Sequence, residues 1–142
     1  MPDHDVTVTR TVHADADRVW AALTQPDLVK QWMMGAEIES TWEPGAPITW
    51  SGEYNGQRYQ DKGEILEIDA GKRLVHTHFS PMSGADDRPE NYHRLSWHLE
   101  EDNGSTKLTL VQSGASSAEQ AAEFKTNWQN MLDRLRDAVE SD

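Results

Sequence analysis

The sequence contains no cysteine, no long apolar run and few basic residues. The absence of cysteine among the 142 residues excludes a disulfide framework and any cysteine-ligated zinc site. No apolar stretch approaches the ~20 residues that a membrane-spanning helix needs. The first residues, Met1-Pro2-Asp3-His4-Asp5, are polar and acidic, unlike a secretory signal or a transit peptide. We therefore expect a cytoplasmic protein without membrane insertion.

The charge balance is strongly acidic. The sequence has 13 Lys and Arg residues and 25 Asp and Glu residues, so the formal net charge is -12. A surface of that sign repels phosphate backbones, and this predicts no nucleic-acid partner. The length is typical of one domain covering residues 1–142, large enough for a hydrophobic core. The chain also has six tryptophans, which suit either a core or the wall of a binding site.

The last part of the chain has the period of an amphipathic helix. Apolar residues recur three or four positions apart from Ala121 to Ala138, with polar residues on the opposite side. Ser116 followed by Glu119 is a capping-box pattern, which predicts where this helix begins. A helix over residues 117–139 would be roughly 35 Å long. We therefore expect it to lie across the rest of the domain.

The preceding residues predict a strand, two short helices and six further strands. Asp15 suits the cap of a helix that ends at Thr24, and Pro26 suits the first position of a second helix ending near Trp32. Gly63 indicates a bulge or a sharp bend in a long strand. The predicted strands cover residues 5–12, 37–42, 47–53, 58–68, 73–79, 92–100 and 106–112.

Several motifs in these elements match a known superfamily. They are Val19-Trp20-Ala21-Ala22-Leu23-Thr24 with Pro26 and Gln31-Trp32, Gly63-Glu64-Ile65-Leu66-Glu67-Ile68 with Arg73-Leu74-Val75, Lys107-Leu108-Thr109-Leu110, and Asn127-Trp128 with Leu132 and Leu135. With them, almost the whole chain resembles the START-like helix-grip superfamily (SRPBCC; birch-pollen-allergen-like). Within it, the sequence is similar to the family named for the activator of the heat-shock-protein-90 ATPase.

This resemblance implies an α+β helix-grip fold. A seven-stranded antiparallel curved sheet would wrap around the long C-terminal helix, and two short helices would follow the first strand. It also implies an internal cavity, in which relatives bind lipids, hormones or polyketides and a few catalyse reactions. The eukaryotic proteins that gave the family its name carry an additional chaperone-binding domain, for which this chain has no room. A chaperone partner therefore stays an alternative only.

Aromatic and apolar residues are predicted to line the cavity. Trp50 and Trp97 alternate with polar neighbours on their strands and would face inward. Trp128 lies on the buried face of the helix, where core packing explains it as well as ligand contact does. Polar groups among them would orient a ligand. The predicted ligand-binding residues are Trp32, Trp50, Tyr59, His78, His93, Leu95, Trp97, Phe124, Trp128, Met131 and Leu132, with Trp32 and residues 80–90 near the mouth.

The histidines are the clearest chemical feature of the sequence. His76 and His78 are two apart on one strand and therefore share a face. If the next strand places His93 opposite His78, three imidazoles converge, as in some catalytic zinc sites. The intervening loop does not fix that register, however, and no acidic residue at an evident spacing completes the set. We therefore predict hydrogen-bonded or solvent-facing histidines, with no metal and no cofactor.

The sequence favours binding of a small apolar or amphipathic molecule over two alternatives. One is a cyclase- or hydrolase-like enzyme that uses a cavity histidine as general acid or base. The other is a protein-interaction module of the chaperone-activator type. The sequence lacks a Gly-rich phosphate loop and a nucleophile elbow, so catalysis is uncertain. Arg10, among valines, is expected to form a structural ion pair with a carboxylate, and the protein is expected to be a monomer or a homodimer.

Overall fold

The computed structural model of the protein describes residues 4–33, 35–54, 56–81, 86–88, 91–115 and 117–141. It has the predicted α+β helix-grip architecture, a curved antiparallel sheet with a long C-terminal helix and two short helices after the first strand. In chain order the elements are β1 (His4–Val12), α1 (Ala16–Thr24), α2 (Pro26–Trp32), β2 (Glu37–Ser40), β3 (Pro47–Tyr54), β4 (Gln57–Asp69), β5 (Arg73–His78), β6 (His93–Asp102), β7 (Ser105–Ala115) and α3 (Ala118–Glu140).

The seven strands form one sheet in the order β1-β7-β6-β5-β4-β3-β2. Each neighbouring pair is antiparallel, and strands β2 to β7 follow one another as a meander. The first strand closes the order by pairing with the last one, for example Val8 with Leu110. The alternating Val6, Val8 and Val12 are buried, as the period-two pattern predicted.

The two short helices begin where the sequence predicted. The Asp15 side chain accepts a hydrogen bond from the Arg18 backbone N–H at 2.9 Å, and Pro26 is the first residue of α2. Arg18 Nη2 also donates to the Val139 carbonyl oxygen at 2.8 Å, and this bond attaches α1 to the end of α3. Among the residues that the structure describes, no helix is long and apolar enough to cross a membrane.

Helix α3 begins one residue later than the capping box predicted. Its cap is Ser117, whose Oγ accepts a hydrogen bond from the Gln120 backbone N–H at 3.0 Å. The predicted cap, Ser116, lies outside the described residues. Ser117 and Gln120 have the same three-residue spacing as Ser116 and Glu119, so the sequence offered two capping pairs in adjacent registers.

Only the second half of α3 is closely packed in the core. Leu132, Leu135 and Val139 are buried, whereas Phe124 and Trp128 are only partly buried. In the packed half, Arg10 Nε of β1 lies 2.7 Å from Asp133 Oδ1, which confirms the expected ion pair. The first half of α3 therefore leaves a space above the sheet, and this space is where the candidate site lies.

The predicted bulge at Gly63 is not where the register of β4 shifts. The shift in the β4–β5 pairing falls between Ile65 and Glu67. At Gly63 the backbones approach so closely that a Cβ atom would lie 1.8 Å from the Thr77 carbonyl oxygen. A side chain at position 63 would therefore prevent this close contact between the backbones of β4 and β5. Glycine in a strand often marks such a contact.

Most strand ends differ from the predicted ones, by one to three residues. Strand β2 ends at Ser40, two residues before its predicted end, because Trp42 has a left-handed backbone with φ of 60°. Strand β6 begins at His93 and ends at Asp102, and β7 continues to Ala115. The longer β7 brings its last residues alongside the first half of α3.

Candidate ligand-binding site

An inner pocket of about 50 Å³ lies between the sheet and the helices. That volume is enough for a few water molecules or for a small apolar group. Aliphatic and aromatic side chains form most of its wall, with two histidines as the polar members. The lining residues are Leu23, Trp32, Met33, Ile38, Trp42, Ile48, Trp50, Leu74, His76, His78, Leu95, Trp97 and Trp128.

Three tryptophans contact one another along this wall. Trp97 makes edge-to-face contacts with Trp32 and Trp128, at ring-centre distances of 6.2 and 5.6 Å. Trp32 is 2% exposed, and its Nε1–H donates to the Ala22 carbonyl oxygen at 2.7 Å. Trp32 thus lies deep in the fold and not near the mouth, because it packs under α1.

His76 is buried against the pocket with both ring nitrogens bonded. Its Nδ1 donates to the Thr77 carbonyl oxygen at 2.9 Å, and its Nε2 accepts the Trp97 indole N–H at 3.1 Å. Nε2 must therefore be unprotonated, so the ring is neutral. Burial lowers the pKa of His76 to about 4, which agrees with this arrangement. His76 is a fixed neutral group at physiological pH.

The sheet register places His93 directly opposite His78. The condition for three neighbouring imidazoles is therefore met, but each ring is bonded to a different partner. His93 Nδ1 donates to the Ser113 carbonyl oxygen at 3.0 Å, and His78 Nε2 lies 3.0 Å from Asp61 Oδ2. Within the described part of the chain, no three His, Cys, Asp or Glu side chains are arranged to hold a metal ion.

Asp61 is a site residue that sequence reasoning missed. It lies on β4 opposite Trp50, whose ring is 5.2 Å from that of His78. One carboxylate oxygen is bonded to His78, while the other, Oδ1, is buried and has no hydrogen-bond partner among the described residues. No sequence pattern indicates this pair, because it depends on how β4 and β5 align. An unsatisfied buried acceptor is uncommon in folded proteins.

A larger outer pocket of about 370 Å³ adjoins the inner one. It lies between the first half of α3 and strands β4 to β7, and it shares Met33, His78, Leu95 and Trp128 with the inner pocket. Asn127 is exposed at its edge. Its remaining lining residues are Asp61, Ser80, Asn91, His93, Gln112, Gln120, Phe124, Asn127 and Met131.

Trp128 borders both pockets and is held by hydrogen bonding. Its Nε1–H donates to Oε1 of Gln112, a buried residue near the end of β7. On the outer side, Phe124 lies edge-on to the His93 ring at 5.4 Å. Gln112 was not predicted as a site residue, since it fell at the end of its predicted strand.

Two of the predicted binding residues lie outside both pockets. Leu132 is fully buried in the core beneath the second half of α3. Tyr59 lies against Gly52 near the turn between β3 and β4, with its hydroxyl oxygen 2.7 Å from where a Cβ of Gly52 would stand. Burial, with the nearby charge of Asp61, raises the pKa of Tyr59. The other nine predicted residues line one or both pockets.

The predicted mouth segment, residues 80–90, contributes its first residue to the site. Ser80 lines the outer pocket, as does Asn91, which directly follows the segment. Asp87 makes an ion pair with Lys62, and it accepts a hydrogen bond from the Tyr92 hydroxyl at 2.6 Å. Residues 82–85, 89 and 90, and also Met34 of the expected mouth, lie outside the described residues. The described part of the segment is therefore attached to β4 beside the pocket.

The long helix, the curved sheet around it and the adjoining pockets define a helix-grip protein. The family described as "Activator of Hsp90 ATPase homolog 1-like protein" matches residues 13–140, so the chain belongs to this family. Among curated protein sequences, none matches this chain significantly. The family and the fold are thus the ones that the sequence motifs predicted.

Solved structures show the same fold over nearly the whole chain. ChR145 from Cytophaga hutchinsonii is 33% identical with a TM-score of 0.85, and the match covers 96% of this chain and 94% of that one. MLL2253 from Mesorhizobium loti is 22% identical with a TM-score of 0.78, covering 96% and 97%. The Aha1 dimer from Colwellia psychrerythraea is 22% identical with a TM-score of 0.75, covering 96% of each chain.

Proposed function

We propose that the protein binds a small apolar or amphipathic molecule in the two adjoining pockets between the sheet and α3. The observation that carries this proposal is their shared wall. Leu95 and Trp128 line both pockets, so the apolar inner pocket adjoins the more polar outer one. Ligand sites typically combine an apolar wall with a few placed polar groups, and these pockets have both.

The volumes limit how a ligand is held. The inner pocket is small, so its occupant is a single ring or a short alkyl segment unless side chains move. Met33 borders both pockets, and methionine side chains adapt readily to different shapes. Burial of apolar ligand surface contributes about 25 cal/mol per Å² before the entropy cost of binding is subtracted. The outer pocket would hold the rest of the molecule.

Native mass spectrometry of freshly purified protein, combined with tryptophan fluorescence, tests this proposal. A panel of fatty alcohols, fatty acids and fused-ring aromatic compounds should include ligands that shift the fluorescence saturably, because Trp97 and Trp128 lie at the pocket walls. A co-purified small molecule would support the proposal too. No adduct and no response across the panel would contradict it.

A matched pair of variants locates the binding. Leu95 and Leu99 are both buried leucines on the same face of β6, but only Leu95 lines the pockets. Replacement of either by phenylalanine overpacks the interior at a similar cost to stability, about 1–3 kcal/mol. We expect L95F to weaken ligand binding by about tenfold or more and L99F to leave it unchanged. Equal affinities in the two variants would place the ligand elsewhere.

An enzymatic role is a second candidate, and the His78–Asp61 pair favours it. A carboxylate bonded to an imidazole nitrogen orients the ring, as in many acid–base sites. His76 is excluded from this role near neutral pH because both of its nitrogens are bonded and its pKa is about 4. If a ligand found in the panel is converted, H78Q should abolish turnover and leave binding within a few-fold.

A further inference from the structure

We infer that the polar end of the ligand is a neutral hydrogen-bond donor, such as a hydroxyl or phenol, and that Asp61 accepts its hydrogen bond. This inference rests on the proposed function, because it names the class of molecule that the same pockets bind. Three observations carry it. They are the unpartnered oxygen of Asp61, the absence of cationic side chains from the described lining, and the arrangement of apolar and polar walls.

The first observation is the state of the Asp61 carboxylate. Its Oδ2 is bonded to His78, while Oδ1 is buried without a partner among the described residues, although the side chain as a whole is 19% exposed and lines the outer pocket. An unsatisfied buried acceptor costs about 1–3 kcal/mol, and more when it is charged. A donor that enters beside Asp61 and reaches Oδ1 after a small side-chain adjustment recovers this free energy.

The second observation is the charge of the lining. Among its described members, the outer pocket contains one carboxylate and two histidines, but no lysine and no arginine. Sites for carboxylates and phosphates usually supply guanidinium or ammonium groups. With Asp61 in the wall and a net charge of -12, a fatty acid or a phosphorylated ligand would bring like charges together. Anionic head groups are therefore disfavoured.

The third observation is the position of Asp61 relative to the tryptophans. Asp61 pairs with Trp50 across β3 and β4, and His78 lies beside Trp50 at the junction of the two pockets. An aromatic or alkyl body in the inner pocket would thus present its polar end to the Asp61–His78 pair. A site that hydrogen-bonds a substrate hydroxyl rejects the analogue without it strongly, since its own polar group is then left unpaired.

Three probes with one ring system test the inference by isothermal titration calorimetry. 2-Naphthol carries a neutral donor, 2-methoxynaphthalene has the donor blocked by a methyl group, and 2-naphthoate is an anion. We expect 2-naphthol to bind at least about tenfold more tightly than its methyl ether, and 2-naphthoate to bind more weakly than either. Equal binding of the naphthol and the ether, or tightest binding of the naphthoate, overturns the inference.

Variants then assign the preference to Asp61. In D61L the ratio of naphthol to ether affinity should fall to within about twofold. D61N keeps an acceptor oxygen without the charge, so the ratio should be intermediate, and this milder variant decides the matter if D61L fails to fold. D69N, on an exposed residue at the end of β4, serves as the control and should retain the wild-type ratio. A wild-type ratio in D61N and D61L overturns the inference.

Failure of the inference and failure of the proposed function give different results. If panel compounds bind in the pockets but 2-naphthol and its methyl ether bind equally, the donor-bearing class is wrong and the binding function stands. If nothing in the panel binds, the proposed function itself is wrong. Binding of 2-naphthol that L95F does not weaken would place the probe outside the pockets and would overturn the inference as well.

Discussion

The Trp97 indole N–H donates a hydrogen bond to Nε2 of His76, 3.1 Å away on the neighbouring strand. Both side chains are almost completely buried. The bond satisfies two polar groups inside an apolar wall, and it requires a neutral imidazole because a protonated Nε2 cannot accept. The wall of the inner pocket therefore depends on the protonation state of one histidine.

This relationship predicts a pH-dependent loss of stability. The pKa of His76 is lowered from its usual 6.5 to about 4 in the folded protein, so the unfolded chain binds this proton more readily. The stabilisation is complete above the unfolded pKa and is lost as pH falls from 6.5 towards 4. For a shift of this size, the loss amounts to about 2–3 kcal/mol. Urea denaturation of wild type and H76Q, at pH values above and below this range, measures it.

The glutamine variant isolates this histidine from other titrating groups. Glutamine donates and accepts hydrogen bonds but does not titrate. The free energy of unfolding of H76Q should therefore fall less on acidification than that of the wild type, by about 2 kcal/mol. If both proteins lose the same free energy over this range, His76 is not the responsible group.

Replacement of Gly63 by alanine should destabilise the sheet severely. The new Cβ would lie 1.8 Å from the Thr77 carbonyl oxygen, and the backbone of β5 cannot yield as a flexible side chain could. We expect a loss of about 3 kcal/mol or more in the free energy of unfolding. E64A, at the neighbouring exposed position, is the control and should change it by less than about 0.5 kcal/mol. A melting temperature for G63A close to that of E64A would contradict this prediction.

The order of the elements could be predicted from the sequence because hydrophobic periodicity is local information. Val6, Val8 and Val12 show the period of two, and Leu132 and Leu135 continue the helical period of α3. Element ends were less predictable. Ser116 and Ser117 are both suitable caps, and only the tertiary path of the chain selects Ser117. Trp42 adopts a left-handed conformation that no local signal indicates.

For the site, the sequence predicted which side chains share a face of a strand or helix, but not the distances between elements. The period-two pattern correctly predicted that Trp50 and Trp97 face inward, but it could not show how close α3 comes to the sheet. Leu132 was therefore assigned to a cavity although it lies in the packed half of the helix. Asp61 was overlooked because its partner His78 is on another strand, and cross-strand partners depend on a register that residues 80–90 leave undetermined.

The ion pair between Arg10 and Asp133 should contribute modestly to the attachment of α3 to β1. Both side chains are partly exposed, at 24% and 39%, so solvent screens their attraction. A double-mutant cycle with R10M and D133N should give a coupling energy of about 0.5–1 kcal/mol that decreases with added salt. Arg136 also approaches Asp133, at 3.5 Å, so the cycle should be repeated in an R136Q background. A coupling energy near zero in both backgrounds would show that core packing alone holds the helix.

Trp128 should control the size of the ligand, because its side chain borders both pockets. Its replacement by alanine would enlarge the space available to a ligand and would remove the hydrogen bond to Gln112. The expected cost is about 2 kcal/mol, below that of a fully buried tryptophan because Trp128 is only partly buried. In exchange, W128A should bind the four-ring 1-hydroxypyrene about tenfold more tightly, relative to 2-naphthol, than the wild type does.

W20A is the matched control for this prediction. Trp20 is also partly buried against the core, but it lines neither pocket. Its loss should lower stability similarly and leave the ratio of pyrenol to naphthol affinity unchanged, since no ligand space is created. An unchanged ratio in W128A would mean that Trp128 does not limit the accessible volume. A ratio raised equally in both variants would point to general loosening of the fold, because Trp20 borders neither pocket.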